Sequence, residues 1–170
     1  MTCPDPQVGL RDDCIPRSEA AARREAQAVV LATMRMGLVL IGVLPWGLPV
    51  ARAYFELGVV GDALDRMFAP MCHRLPERTL VVTSVLMPVC SRCAGIFSGL
   101  VVGAMIARPL LSMRTWRVLL CIASAAMVGD VVIQELGIRP LSHSARLATG
   151  FSVGYCMAVA FVTHVSGERA

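Results

Sequence analysis

Apolar stretches long enough to approach the thickness of a bilayer, separated by short polar segments, constrain this chain more than any other feature. Between Arg35 and Arg52, the stretch Met36 to Val50 carries no charge. At about 1.5 Å per residue that run alone is short for a hydrocarbon core of roughly 30 Å, so the apolar turns Ala28 to Met34 and the stems of both arginines must contribute. Three more apolar segments follow, Ala94 to about Leu111, Trp116 to about Leu136 and Leu147 to about His164. Hydrophobic residues make up 56% of the chain while aromatic residues make up 5%, which is too much apolar surface for a soluble domain to bury. The expected fold is an all-α integral membrane protein, a four-helix antiparallel bundle with a Cys/His-containing loop between its first two spans.

This reading divides the chain into three parts. Residues 1–27 form a polar leader and the start of a helix, 28–164 the membrane domain with a motif loop at about 53–93, and 165–170 a short tail. Ser18 is a plausible N-cap for the first helix, and Pro45 and Pro49 are expected to kink or end it. The first apolar stretch follows a segment of Pro, Asp and Arg and is long enough to stay as an anchor rather than be removed as a signal peptide. Cys3 and Cys14, in that leader, are expected to be unpaired thiols.

All 16 Lys+Arg residues are arginine, a pattern attributed to composition bias. With no lysine-rich patch and no series of stacking aromatics, the net charge of +4 does not point to nucleic acid. Arg11, Arg17, Arg23, Arg24, Arg108, Arg114, Arg117 and Arg169 fall on the side of the N-terminus if the spans alternate, a small excess that puts the N-terminus inside and the motif loop outside. A bacterial inner membrane is the expected location. Gly95, Gly99 and Gly103, and later Gly150 and Gly154, recur every four residues and let another helix backbone approach closely.

The chemistry concentrates in the loop. Asp62 to Phe68 is expected as a short interfacial helix broken by Pro70, Cys72 to Arg78 as a polar turn, and Thr79 to Met87 as an extended segment that returns the chain to Cys90-Ser91-Arg92-Cys93. That path gathers Cys72, His73, Cys90 and Cys93, a donor set that suits a transition metal and zinc first. Adjacent Cys72 and His73 do not trivially aim at one ion, so the fourth position falls to His73, water, Asp130 or another protein.

A redox reading stands beside the metal one. Cys90 and Cys93 can cycle between dithiol and disulfide with Cys72 as a resolving thiol. Against it, the chain lacks thioredoxin-like alternation, and the C-x-x-C segment reads as a knuckle rather than a helix N-terminus. Haem attachment is disfavoured because Ala94, not histidine, follows Cys93. Buried structural cysteines are the third alternative, and Cys121 and Cys156 are assigned to that class. His143 and His164 read as interfacial or hydrogen-bonded histidines.

Polar groups outside the thiols complete the candidate site. Asp130 and Gln134 share a helix face, with Glu135 near the helix end. A carboxylate within a span needs a partner, and Arg146, Arg74, Arg78 and Arg92 are the candidates. These arginines could lower a thiol pKa, hold a phosphate or carboxylate, or anchor the loop to lipid head groups.

The run Cys72-His73-Arg74-x-Pro76-Glu77-Arg78, the run Pro88-x-Cys90-x-Arg92-Cys93-x-Gly95-Ile96 and the distal pattern from Asp130 to Gly150 resemble the predicted membrane proteins of domain-of-unknown-function family 2085. The resemblance spans about Pro70 to Gly154 and implies a membrane architecture without implying an activity. The resulting expectation is a membrane protein with a thiolate-rich, zinc-type metal site of structural or binding role. The alternatives are a membrane thiol-disulfide oxidoreductase or metal-dependent enzyme acting on a small anionic or lipid-derived substrate, and a subunit or assembly factor of a homo-oligomer or larger membrane complex.

Overall fold

The computed structural model describes residues 17–72, 75–107 and 111–166. The expectations for Cys3, Cys14, His73, Arg74, Arg11, Arg108 and Arg169 lie outside the described residues.

Helix α1 (Arg17–Tyr54) runs unbroken through Pro45 and Pro49, so neither proline ends it. Each removes one backbone donor, and both are fully buried against neighbouring elements. Thr83 Oγ1 donates to the Pro49 carbonyl at 3.3 Å, and Trp46 Nε1 donates to Ser98 Oγ at 3.0 Å. These contacts fix the proline-containing stretch of α1 against the hairpin and α3. Because α1 already begins at Arg17, Ser18 lies within its first turn.

Helix α2 (Gly58–Phe68) starts four residues before the expected Asp62. Arg52 reaches across from α1 to Asp62 and Asp65, each at 3.0 Å, and ties the acidic residues of α2 back to the end of α1. Val59, Val60 and Met67 are left exposed, the pattern of a helix lying in the bilayer interface. A single 3-10 turn at Pro76–Arg78 leads into a hairpin of β1 (Thr79–Val82) and β2 (Val85–Cys90). The expected extended segment is therefore two antiparallel strands. Thr83 and Ser84 between them both have positive φ, 50° and 63°, which matches the right-handed twist a two-residue hairpin needs.

Helix α3 (Ser91–Ile106) follows β2 without a gap. Ser112 caps α4 (Met113–Glu135) by accepting from the Thr115 amide at 3.3 Å, and Ser142 caps α5 (His143–Val165) by accepting from the Ala145 amide at 3.4 Å. Within α1, α4 and α5 there is enough apolar length to cross a membrane, whereas α3 is a shorter apolar helix.

The four-helix antiparallel bundle expected is not what the described residues form. Five α-helices and a two-stranded sheet are described, and the long helices lie in the spatial order α1, α3, α5, α4, with α3 and α5 in closest contact. That central pair runs parallel. A Cβ on Gly95 would strike the Leu147 carbonyl and one on Gly99 the Phe151 carbonyl, while Gly103 faces Tyr155 and Ala158. From the other side, Gly150 and Gly154 face the Arg92 and Ile96 carbonyls. Two small-residue stripes thus interlock inside one chain, so they do not speak for an external partner. Gly42 brings α1 against Phe97 and Val101 of α3 in the same way.

Two apolar clusters sit at opposite ends of this layer. Ala107, Trp116, Val159 and Val162 form one, and Phe68, Met87, Val89 and Ala94 form the other beneath the hairpin. In the second, Phe68 meets Phe97 edge to face at 5.9 Å and pins the loop to α3. Cys121, expected to be buried, is exposed on the outer side of α4; α4 packs mainly on α5, which leaves most of its surface open.

Candidate metal centre

Phe68 positions the first thiol. With its ring buried, its carbonyl accepts from the amides of Met71 at 3.0 Å and Cys72 at 3.2 Å, so the chain turns directly out of α2 and delivers Cys72 to the base of the hairpin. The second thiol is placed by β2, whose Met87, Pro88 and Val89 are all buried, and Cys90 pairs with Thr79 across the sheet. Cys93 projects from the first turn of α3. Ser91 Oγ, donating to the Arg78 carbonyl at 3.2 Å, closes the 3-10 turn onto the same point.

The sulfurs of Cys72, Cys90 and Cys93 lie within 4.8 Å of one another. A tetrahedral ion with bonds of about 2.3 Å holds its sulfurs about 3.8 Å apart, so small side-chain rotations close the set on one ion. Cys72 is buried at 8% exposure, yet its Sγ accepts the Cys90 backbone N–H at 3.1 Å. That contact holds the Cys72 sulfur beside the start of α3, where the other two thiols stand. The three cysteines expected as ligands are therefore brought together, and His73 lies outside the described residues.

Cys90 occupies the N-cap of α3. Its thiol is pulled down to about 5, chiefly because the Cys93 thiol hydrogen-bonds to it. The C-x-x-C segment therefore does stand at a helix N-terminus, which corrects the expectation of a knuckle and removes one argument against thiol exchange. The strand that leads into Cys90 continues directly into the helix, and sequence pattern gave no cap signal there.

A polar network backs the thiols. Between two of the cysteines, Arg92 donates to Asp130 Oδ2 at 2.8 Å and to Gln134 Oε1 at 3.0 Å. Gln134 Nε2 donates to Asp130 Oδ1 at 2.9 Å, and Arg146 Nε donates to Gln134 Oε1 at 2.6 Å. Of the candidate partners for Asp130, the structure brings in Arg92 directly and Arg146 through Gln134. With both carboxylate oxygens engaged, Asp130 is not placed as a fourth ligand. Arg78 instead pairs with Glu135 at 2.9 Å, a partner the sequence did not single out because the hairpin that carries Arg78 to the end of α4 was unforeseen. His143 and His164 are both exposed and stand apart from the thiols.

The chain is similar to two uncharacterised archaeal proteins. One, from Methanocaldococcus jannaschii, is 30% identical over 100 residues, which covers 56% of this chain and 64% of the relative. The other, from Methanothermobacter thermautotrophicus, is 32% identical over 95 residues, which covers 54% of this chain and 85% of the relative. The chain thus spans slightly less than two thirds of the first relative's length, and these archaeal matches give no support to a bacterial location. No solved structure matches the chain. Residues 72–160 match the family described as predicted membrane protein DUF2085; that segment begins at the first thiol and contains Cys90, Cys93 and the whole Arg92–Asp130–Gln134–Arg146 network, and the chain belongs to this family.

Proposed function

We propose that the protein is a membrane-embedded metal-binding protein whose Cys72, Cys90 and Cys93 thiolates hold a zinc ion at one edge of the bilayer. The observation that carries this reading is the convergence of three sulfurs from the turn after α2, from β2 and from α3, one of them buried under a backbone N–H. The ion would clamp the α2–hairpin segment onto α3, as structural zinc sites fasten loops too small to hold themselves. His73 or water supplies the fourth position. A closed site with His73 suits a structural role, and a site completed by water suits chemistry on a small anionic or lipid-derived substrate. In the membrane, α3 serves as a fourth span, with the leader inside and the thiols outside, as the arginine distribution favours.

A second reading has its own support. Cys90 at the N-cap of α3, with its lowered pKa, is suited to attack a partner disulfide. The attack would form a Cys90 mixed disulfide and release one partner thiolate. Cys93 would then displace the second partner sulfur, leaving a Cys90–Cys93 disulfide and a reduced partner.

Cobalt substitution separates the two. Purified protein loaded with Co2+ is expected to show thiolate-to-cobalt charge-transfer absorption with tetrahedral visible bands, and both should vanish in a Cys90→Ser/Cys93→Ser variant. Octahedral cobalt with no thiolate absorption, alongside reversible oxidation of Cys90 and Cys93, would overturn the metal reading in favour of exchange.

A further inference from the structure

The outer face of the α4–α5 pair is grooved. Leu119, Ala123 and Ala126 of α4 and Ala148, Ser152 and Cys156 of α5 line an open slot of about 390 Å³, within the size range of ligand clefts. The three alanines are too short to fill the space between the helices. The walls ask for nothing polar, because their hydroxyls are already engaged by their own helix. Thr149 Oγ1 donates to the Ala145 carbonyl at 3.0 Å, and Ser152 Oγ donates to the Ala148 carbonyl at 2.9 Å.

The end of the slot at Leu119 differs in character. One turn earlier on α4, Trp116 is 8% exposed and its Nε1 is a buried donor with no hydrogen-bond partner, a costly condition unless an acceptor is supplied. Arg114 and Arg117 stand exposed on either side of it in sequence. They lie at the start of a helix whose first turn holds no acidic residue, so the side chains and the helix dipole both favour an anion there. At about 1.5 Å per residue, Trp116 to Ala126 spans about 15 Å, half of a hydrocarbon core of roughly 30 Å. An anion-seeking end joined to one leaflet's depth of apolar slot matches the outline of a phospholipid.

We propose that this groove binds one anionic phospholipid from the leaflet at the α3–α4 connection. One acyl chain lies between α4 and α5, the head-group oxygens face Arg114 and Arg117, and one of the lipid's oxygens accepts from Trp116 Nε1. The site is separate from the metal centre, since Trp116 belongs to the apolar cluster at the opposite end of the helix layer from the one beneath the hairpin.

Native mass spectrometry of detergent-purified protein, titrated with phosphatidylglycerol or phosphatidylcholine, tests this. The wild type is expected to bind one phosphatidylglycerol per chain about tenfold more tightly than phosphatidylcholine, and Arg114→Gln/Arg117→Gln protein should lose that preference. Ala126→Leu fills the slot from an exposed position and should abolish the first binding step without lowering the melting temperature. Ser152→Leu fills it from the other wall and decides the matter should Ala126→Leu fail to fold. Trp116→Phe keeps an aromatic ring, removes the N–H, and should weaken phosphatidylglycerol severalfold. A graded series of lipid adducts that neither slot-filling variant changes is a lipid belt without a site and overturns the inference. Equal binding of the two lipids overturns it as well, as does a dimer that forms in place of lipid binding and is broken by the same substitutions, which assigns the groove to a second copy of the chain.

Discussion

Cys72→Ser protein is expected to lose zinc almost completely while keeping its membrane helices. Cys72 is the one donor supplied from outside the C-x-x-C segment, and it is the most buried of the three. A serine hydroxyl is a poor ligand for zinc and cannot replace the thiolate charge. Affinity should fall by more than about 100-fold, beyond the range of outer-shell substitutions, as read by chelator competition. Loss of the ion should also release the loop, so a protease site between α2 and β1 becomes accessible at temperatures where the wild type resists. Cys121→Ser provides the control. Its thiol is exposed on the outer side of α4, and neither zinc affinity nor protease resistance should change.

The second large effect comes from the centre of the helix layer. Gly154→Val places a side chain against the Ile96 backbone, and no rotamer change relieves a clash with a carbonyl. The α3–α5 interface has to separate, at a cost upward of about 3 kcal/mol, the upper end of overpacking penalties. Thermal unfolding in detergent should show a large drop in midpoint and a loss of monodisperse protein. Gly129→Ala on α4 meets nothing within 4 Å and should be neutral or stabilising by up to about 1 kcal/mol, since alanine is the better helix former. Equal destabilisation by the two substitutions would refute the close parallel packing of α3 on α5.

The apolar segments and the glycine spacing were legible in the sequence because bilayer thickness and close backbone approach impose fixed lengths and periods. Their spatial order was not. Alternation of spans suggested an antiparallel bundle without saying which helices touch, and the glycines of α3 and α5 match each other better than either matches α4, so two helices separated in sequence became the central pair. The three cysteines were legible from their chemistry. The hairpin that gathers them was only half visible, as a β-branched stretch, because the Thr83-Ser84 turn lacks the glycine or asparagine that usually marks such a reversal. Helix continuity through Pro45 and Pro49 was hidden for a related reason. The groups that hold this stretch in place, Thr83 and Ser98, are 34 and 52 residues away from the residues they bond, and local pattern holds no trace of them.

Partner choice for Asp130 shows the same limit. A carboxylate in an apolar helix announces that it needs a cation, but four arginines qualified by type. Only the reach of Arg92 from the start of α3 to Asp130 on α4 selects it, and Arg92 also sits between two of the thiols. The metal centre and the buried polar network are in this sense one construction, joined at Cys90-Ser91-Arg92-Cys93.

The most direct test of the account is the zinc content of wild-type protein purified in detergent, measured by elemental mass spectrometry beside a titration of free thiols before and after chelation. The account predicts about one zinc per chain, with chelation freeing the thiols of Cys72, Cys90 and Cys93 for reaction. Protein that carries no metal and instead yields a reducible Cys90–Cys93 disulfide would contradict it.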